Sequence, residues 1–195
     1  MISIRAFGFV LALGLPSALA AADAPKTDVA EVASNTFVRA CAAHMGAMDE
    51  LLAKLQPGRE LFLPELKPEV AKTFLNNREG AAFIRADAGV TLALLTADDQ
   101  CMVFVHKVSP DKLYRRLEMD LRRESGQFFA IRNGGQEARG PMTARFIDMI
   151  PAGEYRAELL KRFGTEPGGF RVIVTGSETA NPNLQAIITI GTRQP

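Results

Sequence analysis

Residues 80–106 constrain the fold more than any other part of the chain. This stretch divides into three short apolar segments, separated by turn-forming residues at 86–89 and 97–100. The middle segment, residues 90–95, is apolar on both faces. Its two faces carry Val90, Leu92 and Leu94 on one side and Ala93 and Leu95 on the other. A strand of this kind belongs in the middle of a sheet covered on both sides, so we predict three strands with a buried central one.

The start of the chain has the three regions of a secretory signal peptide. Arg5 is positive, residues 6–15 are apolar but shorter than the roughly 20 residues of a membrane span, and Ala18-Leu19-Ala20 fits a cleavage pattern. A second cleavage site follows Ala22. We predict that residues 1–20 are a cleaved signal peptide and that residues 21–195 form a single α+β domain in the periplasm. No later apolar run approaches the length of a transmembrane segment.

The charge balance argues against nucleic-acid binding. The chain holds 23 basic and 22 acidic residues, and removal of Arg5 leaves 22 of each, a net charge of zero. Proteins that bind nucleic acid usually show a basic patch or a high isoelectric point. We therefore expect a small ligand or an envelope protein as the partner, and the oligomeric state stays open.

Apolar residues at helical spacing predict the helices. They indicate one helix over residues 28–44 and another over 49–55, separated at Gly46. Proline at the first helical position predicts a short helix over Pro68–Leu75. Ser109 as a cap precedes a clear amphipathic helix over residues 111–124.

Further strands are predicted in the second half of the chain. They cover residues 127–132 (ended by Asn-Gly-Gly), 142–150, 170–175 and 184–192. Residues 155–163 fit both a helix and a strand, and their composition favours a helix. Strands in runs predict an α+β fold, with a largely antiparallel sheet of about six or seven strands and the N-terminal helices and one central helix packed on it.

The two cysteines predict a disulfide. Cys41 lies on the apolar stripe of the first helix, and Cys101 lies in the third strand in phase with Val103 and Val105. An even number of cysteines in an exported protein normally means a disulfide bond. A Cys41–Cys101 bond would join the leading helix to the sheet.

A metal site is the alternative use of the same region. Cys41, His44, Met45 and Met48 together offer the soft ligands that Cu(I) prefers. A zinc site of Cys41, His44, Cys101 and His106 is disfavoured, because residues 101 and 106 have opposite parity and their side chains point to opposite faces of a strand. In a purely structural interpretation, the two methionines lie in the core and His44 lies at its boundary. We predict no metal or other cofactor.

Basic residues cluster on and before the central helix. Acidic residues alternate with them, which favours a solvent-exposed helix face held by ion pairs. The alternative is a surface that binds an anionic partner. The patch comprises Lys107, Lys112, Arg115, Arg116, Arg122 and Arg123.

Support for catalysis is weak. The chain has two histidines, neither in a hydrolase motif, and no glycine-rich phosphate loop. Asp148 interrupts the apolar alternation of its strand, which fits an acid or base, an edge position or a paired charge. We name no catalytic residue and leave open whether the protein is an enzyme.

The chain resembles a group of small exported proteobacterial proteins of unknown function. The resemblance lies in the signal peptide and in three short motifs, namely Phe37-Val38-Arg39-Ala40-Cys41, Gln100-Cys101-Met102-Val103 and Leu184-Gln185-Ala186-Ile187. It implies a periplasmic setting and a paired Cys41 and Cys101, and it implies no activity. We therefore predict a non-catalytic binding or accessory protein of the cell envelope. The alternative is a periplasmic copper- or zinc-handling protein that uses the four residues named above.

Overall fold

A computed structural model describes residues 27–177 and 185–193 of the chain. The predicted signal peptide, the polar leader after it and the turn-rich residues 178–184 lie outside this described part. Within it, no helix combines the length and the apolar character needed to cross a bilayer.

In the described part of the chain, seven antiparallel strands form one sheet, which confirms the predicted α+β class. They are β1 (Ala81–Arg85), β2 (Val90–Leu95), β3 (Gln100–Val105), β4 (Phe129–Arg139), β5 (Met142–Pro151), β6 (Gly169–Ser177) and β7 (Ala186–Arg193). Their order across the sheet is β1-β2-β3-β7-β6-β5-β4. The chain therefore crosses from β3 to the far edge at β4 and returns one strand at a time until β7 pairs with β3.

The strand β2 is the buried centre that its sequence predicts. All six of its residues are buried, and it lies between β1 and β3. Leu92 faces the larger core cluster and Ala93 faces a smaller cluster on the opposite side. Both faces of this strand are thus covered, as an apolar strand without alternation requires.

Five α-helices among the described residues flank the sheet. They are α1 (Val29–Thr36), α2 (Met48–Lys54), α3 (Pro68–Leu75), α4 (Pro110–Ser125) and α5 (Gly153–Phe163). Helices α1 and α4 pack together over one face, which is called the inner face here, and α3 packs over β1 and β2 on the outer face. The helix over residues 155–163 is confirmed, although α5 has no buried residue.

The first helix is shorter than predicted. After α1 the helix first widens to a π-helical turn at Phe37–Cys41 and then tightens to a 3-10 turn at Ala42–His44. The backbone N–H of Ala42 bonds to the carbonyl of Phe37, five residues back. The regular α-helix that was predicted over residues 28–44 therefore ends at Thr36.

The strand β4 is longer than predicted. Asn133 and its two following glycines were expected to end it, but the ladder with β5 shifts register between Asn133 and Gln136 and then continues to Arg139. The turn residues form a β-bulge, and the reversal comes at residues 140–141 instead. A bulge needs the same small and flexible residues as a turn, so composition alone does not separate the two.

Candidate functional site

A cleft of about 430 Å³ lies between the outer side of α1 and the segment at residues 59–63. Its volume falls in the range of roughly 300–1,000 Å³ that is usual for small-molecule sites. It is open to solvent along one side. This is the concave feature of the described residues that best fits a bound ligand.

Backbone contacts to the end of α2 hold the second wall in place. The N–H of Leu61 donates to the carbonyl of Lys54 at 3.2 Å, and the N–H of Leu63 donates to the carbonyl of Leu55 at 3.4 Å. These bonds fold residues 56–63 back against α2. The wall therefore depends on backbone structure that a side-chain substitution in the cleft leaves intact.

The floor of the cleft is apolar. It is formed by the buried Leu55 and Ala40 and by the partly buried Val32, Leu61 and Leu63, while Phe62 stands at the rim with 47% exposure. The periodicity of the sequence places Val32 in the core. In the structure the small residues Ala30, Ala33 and Ser34 take the core side of α1 and leave Val32 to line the cleft.

The walls carry polar and charged side chains. Three of the charged ones are already ion-paired, since Asp28 contacts Lys112, Glu31 contacts Arg116 and Arg85 contacts Asp87. Among the described residues, Arg39 and Glu60 form no ion pair. An apolar floor beside one unpaired cation and one unpaired anion suits a small amphipathic molecule with a charged group.

Comparison with known proteins assigns no family. No family model matches the chain, and no curated protein or solved structure is significantly similar to it. The chemistry of the cleft therefore rests on the residues of this chain alone.

The two cysteines lie at disulfide distance, as predicted. Their Sγ atoms are 2.05 Å apart, their Cα atoms are 5.4 Å apart, and both side chains are buried. Cys41 ends the π-helical turn and follows Ala40 of the cleft floor directly. The disulfide thus ties this end of the cleft to β3.

The four residues of the metal alternative have other roles in the structure. Cys41 is held in the disulfide, Met48 is part of the core, and Met45 is partly buried and packs against that core. The Nδ1 atom of His44 lies 3.0 Å from the Ala40 carbonyl, and its Nε2 atom lies 3.1 Å from Nζ of Lys54. Across residues 27–177 and 185–193, no three His, Cys, Asp or Glu side chains are grouped to hold a metal ion.

The basic patch predicted on the central helix is largely neutralised. Of its six residues, Lys112, Arg116, Arg122 and Arg123 form ion pairs with Asp28, which caps α1, and with acidic residues of α1 and α4. Lys107 and Arg115 are exposed and form no ion pair in the described part of the chain. The paired-helix interpretation therefore describes four of the six positions.

Two buried carboxylates have arginine partners. Asp148 accepts hydrogen bonds from Arg171 at 2.7 and 3.0 Å, and these bonds hold the pKa of Asp148 below its usual value. Burial alone would raise the pKa of Asp120, but hydrogen bonds from Arg116 and Ser34 outweigh it, so the pKa of Asp120 is also lowered. A carboxyl that is ionised and paired is poorly placed to donate or accept a proton at neutral pH.

Sequence reasoning did not identify the cleft or the Ser34–Asp120 contact. Ser34 donates to Asp120 at 2.7 Å, across the contact between α1 and α4. One signal was available, because Asp120 lies one residue before Leu121 and three after Leu117 on the apolar side of its helix. A charged residue so close to an apolar stripe indicates a buried partner, although it does not say which one.

Proposed function

We propose that the protein is a non-catalytic binding or accessory protein of the cell envelope, and that it binds a small amphipathic molecule in the cleft beside α1. The observation that carries this proposal is the cleft itself, with its apolar floor and its unpaired Arg39 and Glu60. A ligand that buries an apolar body on Val32 and Leu63 would gain about 25 cal/mol for each Å² of apolar surface removed from water.

Arg39 gives the cleft a cation that can bind an anionic group of the ligand. An unpaired guanidinium at the edge of an apolar floor recognises carboxylate, sulfonate or phosphate groups through charge-assisted hydrogen bonds. We infer an anionic head group on an apolar body. Export to an oxidising compartment is part of the proposal, and it is supported by the Cys41–Cys101 pair and by the pattern of residues 1–20.

The metal-handling alternative draws no comparable support from the described residues. It would need the Cys41–Cys101 bond to be reduced and His44 to leave its contacts with Ala40 and Lys54. We therefore propose the binding function alone.

A fluorescent probe tests the cleft directly. The probe is 8-anilinonaphthalene-1-sulfonate, which has an aromatic body and an anionic group and becomes bright in apolar surroundings. We expect the mature wild-type protein to bind it saturably. Asn35→Trp should abolish binding because the new side chain fills the cleft from α1, and Arg39→Gln should weaken it about tenfold through the lost charge-assisted bond.

A matched variant separates the cleft from the rest of the surface. Thr73→Trp places the same side chain on the exposed side of α3, outside the cleft, and should leave binding unchanged. The wild-type chain has no tryptophan, so tryptophan fluorescence also reports whether Asn35→Trp and Thr73→Trp are folded. Equal binding by wild type, Asn35→Trp and Thr73→Trp would show that the probe binds elsewhere and would refute the assignment of the cleft.

A further inference from the structure

Three arginines gather on the outer face of the sheet, far from the cleft. Helix α3 covers this face over β1 and β2, and its apolar cluster extends as far as Ile187 of β7. Beyond that cluster the outer faces of β4 to β7 carry the half-buried or exposed side chains Arg132, Arg171 and Arg193. No predicted site includes any of them.

Strand register brings these arginines together around Asp148. Arg132 of β4, Asp148 of β5, Arg171 of β6 and Gly191 of β7 are directly opposite one another in successive strand pairs. Directly opposite residues of an antiparallel sheet lie on the same face. Arg193 lies two residues beyond Gly191 and therefore on that face too, and its Nε atom is 3.7 Å from Asp148.

The cluster has an excess of positive charge. Asp148 is fully engaged by Arg171, whose guanidinium also lies 5.2 Å from the ring centre of Phe146. Arg132 forms no ion pair with a described residue, and the contact of Arg193 is long. Three guanidinium groups against one carboxylate leave two positive charges. The neighbouring positions of the same face carry no carboxylate; they are Phe146, Ile150, Ile173 and Thr189.

Gly191 leaves a notch among these charges. A Cβ atom built at Gly191 would meet no atom within 4 Å, so the face is open at the point where β7 passes Arg171. Thr189 and Arg193 border the notch along β7. The undescribed residues 178–184 join the other end of β6 and β7, five ladder positions or about 17 Å away.

We propose that the notch at Gly191 binds an oxyanion, the phosphate or carboxylate group of an envelope solute or of a lipid head group. Arg171 and Arg193 donate hydrogen bonds to it, the hydroxyl of Thr189 donates another, and Arg132 adds long-range attraction. This site is independent of the proposed cleft function and replaces the central helix as the anionic-partner surface.

Titration with inorganic phosphate, followed by amide chemical shifts of the mature protein at low ionic strength, tests the site. We expect saturable shifts centred on Gly191 and Arg171. Arg193→Gln should weaken phosphate binding about tenfold because one charge-assisted bond is lost. Gly191→Val should weaken it similarly by filling the notch, and its Cβ enters open space, so the fold should be kept.

Two further variants control for general charge effects. Arg115→Gln removes an exposed, unpaired arginine from α4 and should leave phosphate binding unchanged. Asp148→Asn removes the competing carboxylate and should tighten binding. Shifts that are absent, or that are equally weakened by Arg115→Gln and Arg193→Gln, would overturn the proposal, because they would indicate no site or only charge screening.

Vesicles identify the source of the anion. Co-sedimentation with phosphatidylglycerol but not phosphatidylcholine vesicles, lost in Arg193→Gln, would assign the oxyanion to a lipid head group. Phosphate binding without vesicle binding would assign it to a soluble ligand. Either result supports the site, whereas vesicle binding that Arg193→Gln and Gly191→Val both leave intact, without phosphate binding, would contradict it.

Discussion

At the scale of single residues, two buried aspartates are each held by a specific partner. Asp148 interrupts an apolar strand, and the structure explains it as a carboxylate held by Arg171 rather than as a free acid or base. Asp120 has a comparable role between helices, where Ser34 and Arg116 both donate hydrogen bonds to its Oδ2 atom. Breaking a buried pair by removing one partner costs more than the pair itself contributes, because the remaining group is left without a partner.

The pH dependence of stability tests the Asp148 pair. Its folded-state pKa lies below the unfolded-state value of about 3.9, so the pair stabilises the fold above that value. The contribution disappears as the pH falls through the lowered folded-state pKa. We expect Asp148→Asn to lower the free energy of unfolding by about 1–3 kcal/mol at neutral pH.

Urea unfolding of wild type and Asp148→Asn, measured from neutral pH down to acid, gives the comparison. The stability difference between the two proteins should shrink steadily below about pH 4, where the carboxyl is protonated first in the unfolded chain and then, at lower pH, in the folded protein. A difference that stays constant over the whole range would mean that ionisation of Asp148 contributes nothing.

Some helices and strands of this fold can be predicted from their local sequence, and others cannot. The buried strand β2, the proline-led α3 and the amphipathic α4 follow from periodicity and capping, which are encoded within each segment. The bulge in β4 does not, because Asn-Gly-Gly suits both a turn and a bulge, and pairing with β5 decides between them. The cleft could not be predicted from the sequence either, because the residues that form its walls are far apart along the chain.

The bulge in β4 can be tested with a matched pair of glycine substitutions. A Cβ at Gly134 would lie 2.7 Å from the Cβ of Phe146 and 3.2 Å from Oδ1 of Asp148, so Gly134→Ala forces the strands apart. We expect it to cost about 1–3 kcal/mol. Gly191→Ala on the same face enters open space and should be neutral or slightly stabilising.

Thermal unfolding of these two variants beside wild type is the measurement. Equal melting temperatures for Gly134→Ala and Gly191→Ala would show that β4 does not approach β5 as closely as the bulge requires.

At the scale of the whole molecule, the Cys41–Cys101 disulfide joins the N-terminal helices to the sheet. The Cys41–Cys101 bond links the helical N-terminal segment to the middle of the sheet and closes a loop of 60 residues. Chain entropy makes such a closure worth about 4 kcal/mol. The even cysteine count was enough to predict the bond, whereas its position beside the cleft needed the fold.

Reduction should therefore destabilise the protein substantially. We expect dithiothreitol to lower the free energy of unfolding by about 4 kcal/mol, seen as a lower urea midpoint. A Cys41→Ala/Cys101→Ala variant should show the same lower stability and no response to dithiothreitol. An unchanged midpoint on reduction would mean that the two cysteines do not constrain the unfolded chain.

Native mass spectrometry of the protein recovered from its own compartment tests the central claim, that an exported, disulfide-bonded domain binds a ligand in the cleft. We predict a chain that begins after Ala20 or Ala22, lighter by two hydrogen atoms than the reduced form, with a non-covalent adduct that Asn35→Trp loses and Thr73→Trp keeps. A full-length chain with two free thiols, or an adduct that is the same in both variants, would contradict it.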